Sequence, residues 1–198
     1  MKFKKLMAAV TTGVLAVTSL SLSGLIGSAE VQELMNDTFE SGYGAWKGVG
    51  SSLSLSTEQA HNGGTSLYCY DRTANWGAPR CSLTGIVAAG QNYEISASAM
   101  YEGSGQQNMA IKMIYTDANG TDHYDQVAAA QATAGQWVEI KGNYTVPSGA
   151  TDMILYVEMP DANTDQTYYI DDVVIKGEKT EIQLDDKFKS DFDNNSTQ

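Results

Sequence analysis

Asp152-Met153-Ile154-Leu155-Tyr156-Val157-Glu158-Met159-Pro160 is the stretch whose reading decides the fold. In an extended chain Leu155, Val157 and Met159 fall on one face, and Tyr156 and Glu158 on the other. Alternation of this kind, rich in β-branched and aromatic residues and closed by a proline, marks a half-buried strand. The same period runs outward in both directions. Leu53, Leu55 and Thr57 alternate with serines in 51–57, and Leu67 and Cys69 alternate with Tyr68 and Tyr70. Tyr93–Met100, Ala110–Tyr115, Trp137–Val146 and Tyr168–Ile175 follow suit. Turn chemistry separates them at Asn62-Gly63-Gly64, Asp117-Ala118-Asn119-Gly120 and Pro147-Ser148-Gly149. Strand and turn together take roughly ten residues, the spacing of an all-β sandwich of two antiparallel sheets.

The ends read differently. Lys2, Lys4 and Lys5 precede a mostly apolar run from Leu6 to Ile26, and Gly27-Ser28-Ala29 offers small residues for cleavage, so residues 1–29 read as a signal peptide. Residues 30–177 form one domain's worth of chain. From Glu178 to Gln198 the text is acidic and poor in apolar residues, as in a linker or disordered tail. Removing the three leader lysines from the 12 basic residues leaves nine against 24 acidic ones, a net charge near −15. That balance argues against nucleic acid and anionic membrane surfaces as partners. It suits a soluble secreted protein that meets a neutral polymer, and the chain is expected to be extracellular and monomeric.

Tyr70-Asp71-Arg72-Thr73-Ala74-Asn75-Trp76-Gly77-Ala78-Pro79 places a guanidinium and an indole in one short polar loop. Sugars present C–H groups on their faces and hydroxyls at their rims, so a sugar site needs flat rings edged by donors and acceptors. Trp76, Tyr124 and Tyr156 are the candidate rings, Arg72 the donor and Glu158 the acceptor. Such a set, net of association costs, gives binding on the order of micromolar. Tyr124 sits in polar text after the Asp117–Gly120 turn, which fits an exposed ring and also an edge-packed one. Hydrolysis would need two carboxylates across a glycosidic bond; Glu158 is one, and spacing does not identify a second.

Cys69 and Cys81 flank this loop, and in an exported chain they are expected to pair, with roughly 3 kcal/mol of loop-closure stabilisation. The alternative is two buried thiols. The two histidines, His61 and His123, lie in turn-like text without zinc or redox spacing. Asn36–Glu40 opens the domain and Tyr169–Asp172 starts its last strand. A carboxylate from each could supply the hard oxygen that calcium prefers, or both could be solvated acids at strand ends.

Phe39-Glu40-Ser41-Gly42, Trp46, His61–Leu67, Arg72-Thr73-Ala74-Asn75-Trp76-Gly77-Ala78-Pro79, Tyr115–Gly120, Leu155–Pro160 and Tyr169–Val173 together resemble carbohydrate-binding module family 22, in order, from about Asn36 to Lys176. The resemblance implies a jelly-roll β-sandwich that binds xylan, or mixed-linkage β-glucan, without catalysis of its own. It would hold an attached or partner glycoside hydrolase, such as an endo-xylanase, on plant cell-wall polymer. It implies ligand contacts from Arg72, Trp76, Tyr124, Tyr156 and Glu158. It also implies a structural Ca2+ held by Glu40 and Asp172, with backbone oxygens around Thr38 and Ser66. The cysteine pair has no counterpart in the family pattern. A fragment of an endo-xylanase whose hydrolase activity resides in another domain is the alternative.

Overall fold

The computed structural model describes residues 30–178. The expected leader, and the expected tail beyond Glu178, lie outside the described residues. Eleven strands follow in order: β1 (Val31–Asp37), β2 (Lys47–Val49), β3 (Ser52–Ser56), β4 (Ser66–Tyr70), β5 (Ala78–Ser82), β6 (Asn92–Glu102), β7 (Gln106–Thr116), β8 (Asp122–Thr133), β9 (Val138–Thr145), β10 (Thr151–Glu158) and β11 (Thr167–Glu178). They form two antiparallel sheets, the jelly-roll sandwich expected from the sequence. One runs β3-β4-β11-β6-β9, with β1 also on β11, and the other runs β2-β5-β10-β7-β8. Strand β11 continues through Glu178, which pairs with Val31, so the domain's last ladder outruns the expected boundary by one residue.

The alternating residues do what their period requires. Leu155, Val157 and Met159 are wholly buried between the sheets with Leu67, Ile95, Ile111, Ile140 and Ile175. Each such side chain stabilises the fold by about 1.5–3 kcal/mol relative to exposure. Trp46 closes one end of the core, its Nε1 donating to Asp37 Oδ2 at 2.6 Å and its ring meeting Phe39 edge-on at 6.0 Å.

Four strands were not evident in the sequence. β1 and β2 are short of apolar alternation; β2 is exposed throughout. β5 carries Pro79, which lacks a backbone N–H; its ladder to β10 covers only Arg80 to Ser82. β8 is an alanine-rich edge strand, with a bulge opposite Ile111 and Lys112, so its pattern slips by one residue midway.

The expected Cys69–Cys81 disulfide is absent; both cysteines are free and buried. Cys69 lies on β4 opposite Leu53 and Tyr168, in one sheet, whereas Cys81 lies on β5 opposite Leu155, in the other. The two thiols therefore stand in opposite sheets of the sandwich rather than at the base of one loop. Burial pushes the Cys69 thiol up, and pushes Cys81 up to about 11. They are core thiols.

Candidate functional site

The outer face of the five-stranded sheet collects the aromatic and charged side chains that the core does not need. Strand register fixes one row across it: Lys47 opposite Arg80, Arg80 opposite Tyr156, Tyr156 opposite Lys112, and Lys112 opposite Gln126. A neighbouring row places Ser82, Ile154, Ile114 and Tyr124 side by side. On the other flank Glu158 faces Ala110, which faces Ala129, so small side chains surround the carboxylate. Tyr156 and Glu158 are each only 3% exposed, whereas Trp76 is 50% and Tyr124 60% exposed. Two raised rings therefore flank a sunken phenol and carboxylate.

Each part is held by named contacts. Arg80 lies over the Tyr156 ring at 5.2 Å and the Trp76 ring at 5.9 Å. Lys112 pairs through Nζ with Glu158 Oε1. Burial first, and the Glu158 charge second, push the Tyr156 phenol up to about 12, so it remains a hydrogen-bond donor. Trp76 rests on Gly50, where φ is +62° and an added Cβ would stand 2.6 Å from the indole.

Arg72 has a different place from the one its exposed, polar text suggests. It is 4% exposed, and its donors all go to backbone carbonyls. Nε donates to Gly77 at 3.0 Å, one terminal nitrogen to Asn75 at 2.5 Å and Met159 at 3.0 Å, and the other to Asn163 at 3.2 Å and Gln166 at 3.5 Å. A guanidinium has five N–H bonds, and five carbonyls take them. Arg72 thus ties the loop that carries Trp76 to the loop after β10, and no donor is left for a sugar. As an expected sugar donor it is corrected to a residue that positions Trp76.

Tyr124 is displayed by its hairpin. Asp117 Oδ1 accepts the Asn119 and Thr121 amides at 2.8 and 2.9 Å, and Oδ2 meets His123 Nε2 at 3.0 Å. The Thr121 amide and then His123 hold the Asp117 carboxyl down to about 2. His123 stacks on Tyr115 at 4.9 Å, leaving the next residue, Tyr124, to face outward.

This architecture has close parallels. The profile of a family described as a carbohydrate binding domain matches residues 32–166. The C-terminal family 22 carbohydrate binding module of a Clostridium thermocellum protein is 32% identical, with a TM-score of 0.68 covering 76% of this chain and 97% of that one. The chain belongs to carbohydrate-binding module family 22. A xylan-binding domain of that family from Paenibacillus barcinonensis is also 32% identical, with a TM-score of 0.69 over 76% of this chain and 97% of the other. Among curated relatives, a xylanase/beta-glucanase of Ruminococcus flavefaciens is 32% identical over 154 residues, and endo-1,4-beta-xylanase A of Thermotoga neapolitana 36% over 156. The matches take in 76% and 75% of this chain but only 19% and 14% of those proteins. As a carbohydrate-binding module it is non-catalytic.

A second polar cluster of the module sits where β11 bulges between Asp171 and Val174, with Asp172 at φ +45°. Asp171 is fully buried, its Oδ2 accepting the His61 and Asn62 amides at 2.9 and 3.3 Å and its Oδ1 the Asp172 amide at 2.8 Å. Burial pushes this carboxyl up against the pull of those amides. Glu40 Oε1 accepts the Gly64 and Thr65 amides at 2.9 and 2.8 Å, on the same loop. Asp172, expected as a metal ligand, meets His61 Nδ1 and Asn62 Nδ2, each at 2.6 Å. The Ser66 hydroxyl donates to the Gln59 carbonyl at 2.6 Å. Among the described residues no three acidic, histidine or cysteine side chains converge as a metal cluster. A cation here would therefore lean on carbonyl oxygens, such as those of Thr38 and Ser66, beside Glu40 and Asp171. The buried Asp171 carboxylate, with no cationic side chain among its hydrogen-bond partners, fits a hard cation in kind.

The sequence reading missed Arg80, Lys112, Gly50 and Asp171. Lys112 alternates with Ile111 and Met113, so its outward position was legible; its pairing with Glu158 needed the β7–β10 register. Arg80 was hidden by Pro79, which broke the strand signal. Asp171 was indistinguishable from Asp172 until the bulge turned one inward.

Proposed function

We propose that the module binds xylan in the groove on its five-stranded sheet. The carrying observation is the pair of exposed rings, Trp76 and Tyr124, raised on either side of Tyr156 and Glu158. Trp76 lies two residues before β5 and Tyr124 lies on β8, three strand spacings away, roughly 14 Å. That span suits a short run of sugar rings, stacked at both ends and hydrogen-bonded to the phenol and carboxylate between. The names of the similar modules and relatives support xylan as the polymer. In the Tyr156 row Lys112, Arg80, Lys47 and Gln126 accompany the phenol, and Ala110 and Ala129 flank Glu158, which describes recognition and leaves a hydrolytic carboxylate pair without a second member there.

Mixed-linkage β-glucan is the second reading, favoured by the xylanase/beta-glucanase relative. The module would serve as an anchor for an attached or partner glycoside hydrolase outside the cell, consistent with relatives many times longer than the match. A structural calcium at Glu40 and Asp171 would stiffen the 61–65 loop against β11; its chemistry is charge neutralisation of the buried Asp171 carboxylate and the exposed Glu40 beside the loop. Affinity gels containing xylan, mixed-linkage glucan or a cellulose derivative test the polymer. Retardation by xylan that is lost in Trp76→Ala supports the groove; equal migration in every gel removes the reading.

A further inference from the structure

The chain is acidic overall, with a net charge of −12, yet its groove is not. The described residues contain six lysines and arginines: Lys47, Arg72, Arg80, Lys112, Lys141 and Lys176. Three of them, Lys47, Arg80 and Lys112, share the row that contains Tyr156. Lys112 is neutralised by Glu158. Neither Lys47 nor Arg80 has a carboxylate within ion-pair distance among the described residues. They stand directly opposite one another on β2 and β5, a like-charge pairing that works against the sheet. Arg80 Nε is buried without a hydrogen-bond partner, while the guanidinium is held against Trp76 and Tyr156. An oriented cationic fork thus sits between the exposed Trp76 ring and the sunken Tyr156 phenol, with a second cation beside it.

We infer that the groove selects a carboxylate-bearing xylan, a chain substituted with uronic acid, and that Lys47 and Arg80 hold the carboxylate. The inference rests on the xylan reading of the groove. A planar guanidinium matches a carboxylate in charge and geometry, whereas a neutral sugar hydroxyl would leave the charge of both residues uncompensated. Stacking on Trp76 and Tyr156 limits the motion of Arg80 and lowers the ordering cost of that contact.

The test titrates the full chain with a uronic-acid-substituted xylan and with the same polymer after its carboxyls have been reduced to alcohols. The wild type is expected to bind the acidic polymer about three- to tenfold tighter at low salt. In about 0.5 M NaCl the ratio should shrink toward one. Lys47→Gln and Arg80→Gln should each lower the ratio. Equal wild-type affinity for the two polymers, or a ratio unchanged in both variants, overturns the inference while leaving xylan binding intact. Binding to neither polymer would instead overturn the xylan reading. Because each protein is compared with itself on two polymers, a misfolded variant shows itself by losing both, and the wild-type ratio then decides.

Discussion

Arg80 and Tyr156 are direct cross-strand partners on β5 and β10, with the guanidinium carbon 5.2 Å from the phenol ring centroid. This pairing places a cation over the floor of the groove and connects the floor to Trp76, whose ring the same guanidinium approaches. Wall and floor are therefore one assembly, and changes in either reach the other.

The two raised rings should account for much of the affinity and little of the stability. Trp76→Ala and Tyr124→Ala are each expected to weaken xylan binding by about 1–2 kcal/mol, roughly fivefold to thirtyfold. Neither should shift the urea midpoint appreciably, because both side chains are exposed. Affinity electrophoresis beside urea denaturation would check both halves.

Arg72 should behave in the opposite way. Arg72→Ala would leave five backbone carbonyls without their donor and is expected to destabilise the fold by about 3 kcal/mol or more. Arg72→Lys restores charge but only three donors on one point, so it should recover little. A urea titration with an unchanged midpoint in Arg72→Ala would refute this positioning role.

Gly50 is the support on which Trp76 rests. Gly50→Ala is expected to cost about 1 kcal/mol from its left-handed backbone alone. The new methyl would also displace the indole, so binding should weaken although no ligand-facing side chain has changed. Calorimetric titration with xylan, together with the indole fluorescence maximum, would reveal both effects.

The thiols offer a direct chemical check. The native protein should resist a thiol-alkylating reagent, since both sulfurs are buried and their pKa values are raised. Unfolding without reductant should expose two alkylatable groups. Mass spectrometry showing none would mean that the sulfurs are bonded.

Calcium is expected to raise the thermal midpoint, and a chelator to lower it. Asp171→Asn and Glu40→Gln should abolish that response, whereas Asp172→Asn should diminish it less, because its carboxylate is engaged with His61 and Asn62. An equal response in wild type and Asp171→Asn would exclude the carboxylate from the site.

Local alternation was enough to read the sandwich, because burying one face of each strand depends only on period. Leu155, Val157 and Met159 point inward for that reason, and Tyr156 and Glu158 outward. Trp76 was legible as an exposed ring from the polar residues around it, whereas the text around Tyr124 fitted an edge-packed ring equally well. Arg72 was not legible as a structural residue, since nothing nearby in sequence reveals that Met159, Asn163 and Gln166 carbonyls close around it. The cysteines misled for the same reason: they flank a loop in sequence yet belong to different sheets.

The sequence by itself determined which face of each strand is apolar and that Tyr156 and Glu158 share the face opposite the core, because residue chemistry and the two-residue period are local properties. Only the tertiary structure decided which side chains meet. Pairing Arg80 with Tyr156, joining Lys112 to Glu158, withdrawing Arg72 into a cage of carbonyls and separating Cys69 from Cys81 all depend on strand order and register, which are set by contacts distant along the chain.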